Sequence, residues 1–404
     1  MANTILSPDA VTNEALRVLH QKLNFVGTVN RQYDKSYAVD GAKIGDSLKI
    51  RLPNEYTIRS GATLNTQDTA EASVTLQVST QKGVDVNFTS AELTLDLDRF
   101  SDRILKPAMS VLAANIESDA MSMYQDVSQE ISDVGADLSM ADVLGASKKL
   151  TDALCPYDAR TLNMNTEQNV SLVTALSALF NNQTSIGNNY KEGRVGSDTL
   201  GFANVMENTL WATHTSGTDD GTGDHKVNGA GQSGSSIIHS SNGSGTFTVG
   251  DIISFAGCNR CHPETKADTG ELMKFVVTTA MTAVATTVEI SPAIVLTGGR
   301  QNVVAAPTTT GAIWKRESDD ATAIAGGVDY KIGMAYHKDA FAVAFADLVK
   351  PTGVDFCSRQ VMDGISLRVV RDYDINNDKF PCRIDVMYGY KTLRSQMACR
   401  LGTN

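Results

Sequence analysis

No stretch of this 404-residue sequence approaches the ~20 consecutive apolar residues of a membrane-crossing helix, so no span and no membrane partner are expected. Histidine is scarce, six in all, and His214, His225 and His239 fall in or beside a glycine-rich stretch. A catalytic imidazole needs a rigid supporting shell, which such a stretch does not promise. No Gly-x-Ser-x-Gly elbow, His-Glu-x-x-His pair or Walker loop occurs, and Gly298-Gly299 and Gly326-Gly327 precede no helix. No enzymatic activity and no cofactor are therefore expected. Clustered basic residues are also missing, and the net charge is −11. Tight wrapping of nucleic acid rests on Lys and Arg neutralising phosphates, so that class is excluded. Loose enclosure is not, because an acidic wall avoids sticking to nucleic acid. The opening MANTILSPDAVTNEAL lacks a basic start followed by an apolar block, so no signal peptide is expected, and folding in a cytoplasm is the default. The six cysteines, Cys155, Cys258, Cys261, Cys357, Cys382 and Cys399, then read as free thiols used as small hydrophobes.

What is present is a folded chain, 42% hydrophobic and 20% charged, long enough for two or three modules. Its dominant stretch is Asp98–Val127, which reads as one long helix. Phe100, Ile104, Ala108, Val111, Leu112, Ile116, Ala120, Met123 and Val127 recur at helical spacing as an apolar band. Arg103, Lys106, Ser110 and Glu117 fall opposite as a wet stripe. Asp98 or Ser101 can cap the start, and Pro107 should bend or restart the rod. Asp96, Asp98 and Asp102 complement the helix dipole there and lack the glycine and terminal glutamate of a calcium loop. At 1.5 Å per residue such a rod is roughly 40 Å long, a spine bridging distant sheets.

Residues 1–54 read as an arm with a first strand. Ser7 and Pro8 open a short helix carrying Val11, Ala15, Leu16, Val18 and Leu19, and Leu48, Ile50 and Leu52 alternate until Pro53. Residues 55–88 read as a two-stranded ribbon: Ile58 leads to a polar tip at Ser60–Ala70, and Val74, Leu76 and Val78 return. A lone hairpin is marginal in water, so this one needs a surface from its own chain or another copy. After the spine segment (89–135), residues 136–212 carry helices over Ser139–Leu154 and Thr166–Asn181 flanking a strand at Arg160–Met164. Val170, Leu172, Val173, Leu176 and Leu179 should face inward in the second helix. His214–Ser244, rich in Gly, Ser, Thr and Asp, reads as a loop or linker that buries little. It opens a segment, 213–323, whose short strands suggest a small β-barrel or sandwich. Residues 324–404 return to longer strands, with Ile365, Leu367 and Val369 opposing Ile384, Val386 and Tyr388 across the turn Asp374–Asp378.

One motif suggests chemistry. Cys258-Asn259-Arg260-Cys261-His262 has the spacing of a haem attachment site, and Cys258, Cys261 and His262 could join His239 around zinc. Without an export signal or a second ligand pair, the favoured reading is surface cysteines on a β-turn. The alternative function this leaves is a soluble metal- or haem-binding β-module fused to an α/β domain.

The order of parts (arm, ribbon, spine, α/β segment, β-insertion, return) resembles the major capsid protein of tailed double-stranded-DNA phages, closest to short-tailed-phage coat proteins with an inserted β-domain. Four segments carry the resemblance: DLDRFSDRILKPAMSVLAANIESDAMSMY, Gly250–Gly257 (GDIISFAG), Ala335–Phe341 (AYHKDAF) and RIDVMYGYKTLRSQMACRL. It implies an α+β, Hong Kong 97-like fold with spine helix, peripheral and axial domains, extended loop and N-terminal arm, plus the inserted barrel. It also implies a structural protein assembling as pentamers and hexamers into an icosahedral shell around the genome, in a virion put together in the host bacterial cytoplasm. Expected partners are copies of the chain itself, a scaffolding protein, a portal and in some members a decoration protein, with double-stranded DNA enclosed but not read. Arg59, Asp68 and Glu71 near the ribbon tip, with Arg103 and Glu117 on the spine, are the candidate intersubunit contacts, and Asp9, Glu14, Arg17 and Lys22 are the charges of the arm.

Overall fold

The computed structural model describes residues 8–31, 47–64, 66–67, 71–89, 106–132, 134–176, 200–219, 225–241, 245–315, 326–362 and 364–403. Pro8, whose missing N–H costs nothing at a first helical position, opens α1 (Pro8–Lys22), and α2 (Phe25–Thr28) is a single turn. Strands β1 (Ser47–Arg51), β2 (Ser73–Gln77) and β3 (Thr80–Thr89) come before the long helix α3 (Lys106–Met121). A 3-10 turn over Ser122–Asp126 continues α3. Then come β4 (Glu130–Ser132), α4 (Met140–Asp152), β5 (Arg160–Met164), α5 (Thr166–Leu176), β6 (Asn204–Glu207) and β7 (Thr213–Thr215). Six strands follow: β8 (His225–Val227), β9 (Gly234–Ser241), β10 (Ile252–Cys261), β11 (Asp268–Val277), β12 (Thr287–Ile294) and β13 (Ile313–Lys315). The last are β14 (Asp329–His337), β15 (Phe341–Ala346), β16 (Phe356–Met362), β17 (Ile365–Arg371), β18 (Lys379–Thr392) and β19 (Ala398–Thr403). The chain divides into two compact units, one drawn from 1–51, 73–121 and 341–393, the other from 52–72, 122–340 and 394–404.

In the first unit β18 organises a sheet. It pairs antiparallel with β3 along Lys379–Tyr388, with β17 at Cys382–Asp385 and with β15 along Met387–Thr392. The Ile384/Val369 register is the hairpin that the alternation predicts. The outgoing strand of the ribbon lies earlier than expected. Ser47–Arg51 pairs with Ser73–Gln77, whereas Ile58 is 95% exposed and in no strand. The ribbon base is covered by its own unit: Leu76 and Val78 pack with Ala342 and Ala344. The chain crosses so closely there that a Cβ on Gly389 would lie 2.0 Å from the Gln77 carbonyl.

Helix α3 buries a face two columns wide, Ala108, Met109, Leu112, Ala113, Ile116, Glu117, Ala120 and Met121. Two sequence expectations fail here. Val111, placed in the apolar band, is 58% exposed, and Glu117, placed on the wet stripe, is 1% exposed. The reason is local to α2. Its preceding residue, Asn24, makes no capping bond, and the Glu117 carboxylate accepts from the N–H groups of Phe25 (2.9 Å) and Val26 (3.0 Å) instead. The carboxylate caps the helix from a distant part of the sequence, where the positive end of the peptide dipoles favours an anion. The expected cap and start at 98–105, with Phe100, Asp102, Arg103 and Ile104, lie outside the described residues. In the arm, Ala15, Leu16, Val18 and Leu19 are buried as predicted, and exposed Arg17 pairs with Glu14.

In the second unit β14 lies between β19 and β5 in a sheet ordered β4-β19-β14-β5-β6, and β7 also pairs with β14. Ser139 and Asp142 form the capping box that starts α4. Leu172 is buried in α5, whereas Val170, expected inward, is 60% exposed. Arg160 is fully buried and, among the described residues, pairs with no carboxylate. It donates to the carbonyls of Cys155 (2.5 Å) and Pro156 (2.8 Å) and to Thr151 Oγ1 (3.1 Å), just past the negative end of α4.

Because β7 and β14 pair, β8–β13 form an insertion between adjacent strands. They make a sheet ordered β13-β10-β11-β12-β9-β8 around Ile253, Phe255, Phe275, Val288 and Ile290. The stretch expected to be a linker supplies β7, β8 and β9 and buries His214, His225, Val227, Ile237 and His239. Its strands alternate, with histidines in inward slots that apolar residues usually fill. Polar contacts fasten the insertion. His214 Nε2 lies 2.9 Å from Asp251 Oδ1, while Asp251 Oδ2 accepts from Thr248 N (2.8 Å) and Gly217 N (3.0 Å). Burial pushes the Asp251 carboxyl up, but these donors outweigh it and hold it below the usual range. Glu271 of β11 takes Lys148 (3.0 Å) and Lys149 (2.9 Å) of α4. Burial raises the Glu271 carboxyl, yet the two ammonium groups bring it down to about 2.

Two outcomes follow. Glu117→Ala leaves two helix N–H groups without their acceptor inside the core, an expected loss of about 2–5 kcal/mol read as a lower urea midpoint; an unchanged midpoint overturns the capping role. For Glu271 the folded carboxyl titrates lower than the unfolded one. Its contribution is complete above the ordinary value of 4.5 and lost as pH falls from there toward about 2. Glu271→Gln should lower the neutral-pH midpoint and flatten the acid decline in that window, as followed by urea melts across pH.

Candidate assembly surfaces

Among its described residues, the loop between β1 and β2 has no strand ladder. Its neck closes through Leu52 N donating to Ala72 O at 2.8 Å. Farther out, Gln67 replaces a strand partner: its Oε1 accepts from Thr57 N (2.9 Å) and Thr57 Oγ1 (3.0 Å), and its Nε2 donates to Thr57 O. At the tip Arg59 donates to Gly61 O. This frame holds Tyr56, Ile58 and Leu64 outward, 57%, 95% and 78% exposed. Scattered exposed apolar residues are ordinary, but three on one loop single it out as a candidate interaction surface. In the first unit, the outer side of α3 presents Lys106, Ser110, Val111, Asn115 and Ser118. It is a mildly polar face with one apolar centre.

The candidate intersubunit contacts are distributed unevenly. Arg59 and Glu71 lie on the exposed loop, and Asp68 and Arg103 fall outside the described residues. Glu117 is corrected from an outward contact to an internal cap: its carboxylate is committed to Phe25 and Val26 of its own chain. Helical spacing alone hid this, since the groups it caps lie some ninety residues upstream.

The cysteine motif is also displaced from its expected setting. Cys258 and Cys261 lie on β10, 0% and 2% exposed, not on a surface turn. Cys258 packs in the core of the insertion, where burial pushes its thiol up to about 12, unsuited to binding metal as a thiolate. Cys261 Sγ donates to Gln301 O at 3.1 Å. His262 Nδ1 accepts from the N–H groups of Glu264 and Thr265, both at 3.2 Å. His239 packs against His225 instead, their rings 5.2 Å apart. Among the described residues no three His, Cys, Asp or Glu side chains converge to hold a metal ion.

Among solved structures the chain is similar to one of Mycobacterium phage Che8, at 11% identity and a TM-score of 0.46, over 94% of this chain and 90% of that one. It is likewise similar to the asymmetric unit of the bacteriophage PhiM1 mature capsid, at 11% identity and a TM-score of 0.44, over 91% and 84%. A virus-like particle from Pyrococcus furiosus matches at 7% identity and a TM-score of 0.41, over 97% of each chain. No curated protein sequence matches. The profile of the family described as P22 coat protein - gene protein 5 matches residues 10–401. That match spans nearly the whole sequence, and the chain therefore belongs to the P22 coat protein family, as a structural, shell-forming protein of the phage virion and not an enzyme.

Proposed function

We propose that copies of this chain close into an icosahedral shell of pentamers and hexamers, and that the loop Leu52–Ala72 is the clamp between neighbours. The observation that carries the clamp is the exposure of Tyr56, Ile58 and Leu64 on a loop braced internally by Gln67 against Thr57. The loop lies across the outer face of α3 in the next subunit, a head-to-tail contact whose repetition closes rings. Arg59, Asp68 and Glu71, with Arg103 on the spine, add ion pairs of about 0–1 kcal/mol each, so many weak contacts sum and early errors can be undone. The arm docks through α1.

This division of labour is the Hong Kong 97-like one: arm and first strand 1–54, extended loop 55–88, spine-bearing peripheral domain 89–135, axial domain 136–212, insertion 213–323, and 324–404 returning to the axial and peripheral sheets. The insertion is read as a closed barrel, since Lys226 of β8 bridges Ala312 beside β13, at the far end of the strand order. The resemblance to tailed-phage coat proteins adds a scaffolding protein and a portal as partners, a decoration protein as in some members, and assembly in the host cytoplasm. A net charge of −11 suits a wall that encloses double-stranded DNA without gripping it.

Deleting 60–70 tests the clamp. The packed base around Leu76 and Val78 stays intact, so the chain should fold, remain as small species in light scattering and give no closed particles by electron microscopy. Normal shells from the deleted chain would refute the clamp.

A further inference from the structure

The Cys-x-x-Cys-His motif finds its use in how the insertion meets the extended loop. After Cys261 the chain makes a tight turn: His262 N donates to Ala267 O (2.8 Å), Lys266 N donates to His262 O (3.0 Å), and Lys266 adopts a left-handed φ of 57°. The turn aims the Lys266 ammonium at three backbone carbonyls, Pro263 O (2.6 Å), Gly299 O (2.6 Å) and Gln301 O (3.3 Å). Cys261 Sγ fixes the same strand end through Gln301 O. The Gly298–Gln301 turn, closed by Gln301 N donating to Gly298 O at 3.1 Å, is thereby held from beneath. Its upper side carries the base of the loop. A Cβ built on Gly299 would lie 2.2 Å from Glu55 O and 2.6 Å from Glu55 C. Glycine is required at 299 for this approach and at 298 for a different reason, a φ of +88° with open space around it. A cavity of about 400 Å³ opens beside the contact, lined by Leu52, Pro53 and Ala72 of the loop and by Lys266 and Arg300 of the insertion. At the loop base, backbone thus rests directly on backbone.

We propose that the Lys266-clamped Gly298–Gln301 turn is the seat of the extended loop, by which the insertion fixes the direction in which each subunit reaches its neighbour. The inference rests on the clamp reading above for its consequence in assembly, but not for the seat itself.

Two variants of the full chain test it. Gly299→Val places bulk where the Glu55 carbonyl lies, and Lys266→Met removes the clamp without adding bulk. In the monomer, chymotrypsin should cut after Tyr56 several-fold faster than in the unmodified chain, with cleavage elsewhere unchanged. Electron micrographs should show open, misshapen or differently sized particles. Wild-type cleavage rates in both variants overturn the seat. Faster cleavage with wild-type particles overturns its control of reach. If Gly299→Val is cut throughout and so misfolds, Gly299→Ala and Lys266→Met decide by the same readouts. Failure of the unmodified chain to form shells would count against the clamp reading and leave the protease result to judge the seat.

Discussion

Glu117 is a charge taken out of water, and the first unit is arranged so that this is tolerable. Burying a carboxylate costs several kcal/mol unless donors replace its hydration, and here the replacement is the open N-terminus of α2. The contact joins the arm, through α2, to the long helix α3, beside the packing of α1 on that same helix. Once α2 is fixed, Phe25 packs on Phe341 with ring centres 5.7 Å apart, and Asn30 exchanges backbone bonds with Phe341 and Val343. The arm thus extends the edge of β15. A polar contact gives this docking a direction that apolar burial alone would not specify.

The insertion follows similar logic at its attachment. Its core is apolar, but its fastenings to the α/β part are charged: His214 with Asp251, Lys148 and Lys149 with Glu271, and Lys274 donating to Glu130 O at 2.9 Å. Apolar contacts slide more readily than charge-assisted bonds, whose geometry is narrow. A module spliced between β7 and β14 therefore arrives with a defined orientation on its own unit.

Much of the fold was legible from residue order. Arg160–Met164 emerged as a strand with the bounds read from the sequence, because loop and cap signals flank it closely, and the β17–β18 hairpin followed from alternation on both sides of Asp374–Asp378. What escaped had distant causes. Nothing near Glu117 reveals that two unsatisfied N–H groups wait for it. The ribbon register was misplaced because Ile58 looked like a strand residue, whereas the covering surface, Ala342 and Ala344, lies under Leu48, Ile50 and Leu76. The glycine-rich stretch carried a readable signal that composition masked: His225-Lys226-Val227 and Ile237-Ile238-His239 both alternate inward and outward. Cys258 conformed to its general character as a small buried hydrophobe and not to the motif it belongs to. Of the assembly surfaces, the loop was visible as polar and unsupported, but its outward apolar trio was not.

Gln67 has a consequence for solubility. A ribbon continued by ordinary pairing would carry two free rows of amides and carbonyls, an invitation to any other extended segment at the concentrations reached while virions are being made. By crossing the gap with one carboxamide, the chain satisfies both backbone groups of Thr57 from within and withdraws that position from strand pairing. At Thr57 a passing extended segment thus finds no open backbone partner, and what the projection offers there is the side chains of Tyr56 and Ile58.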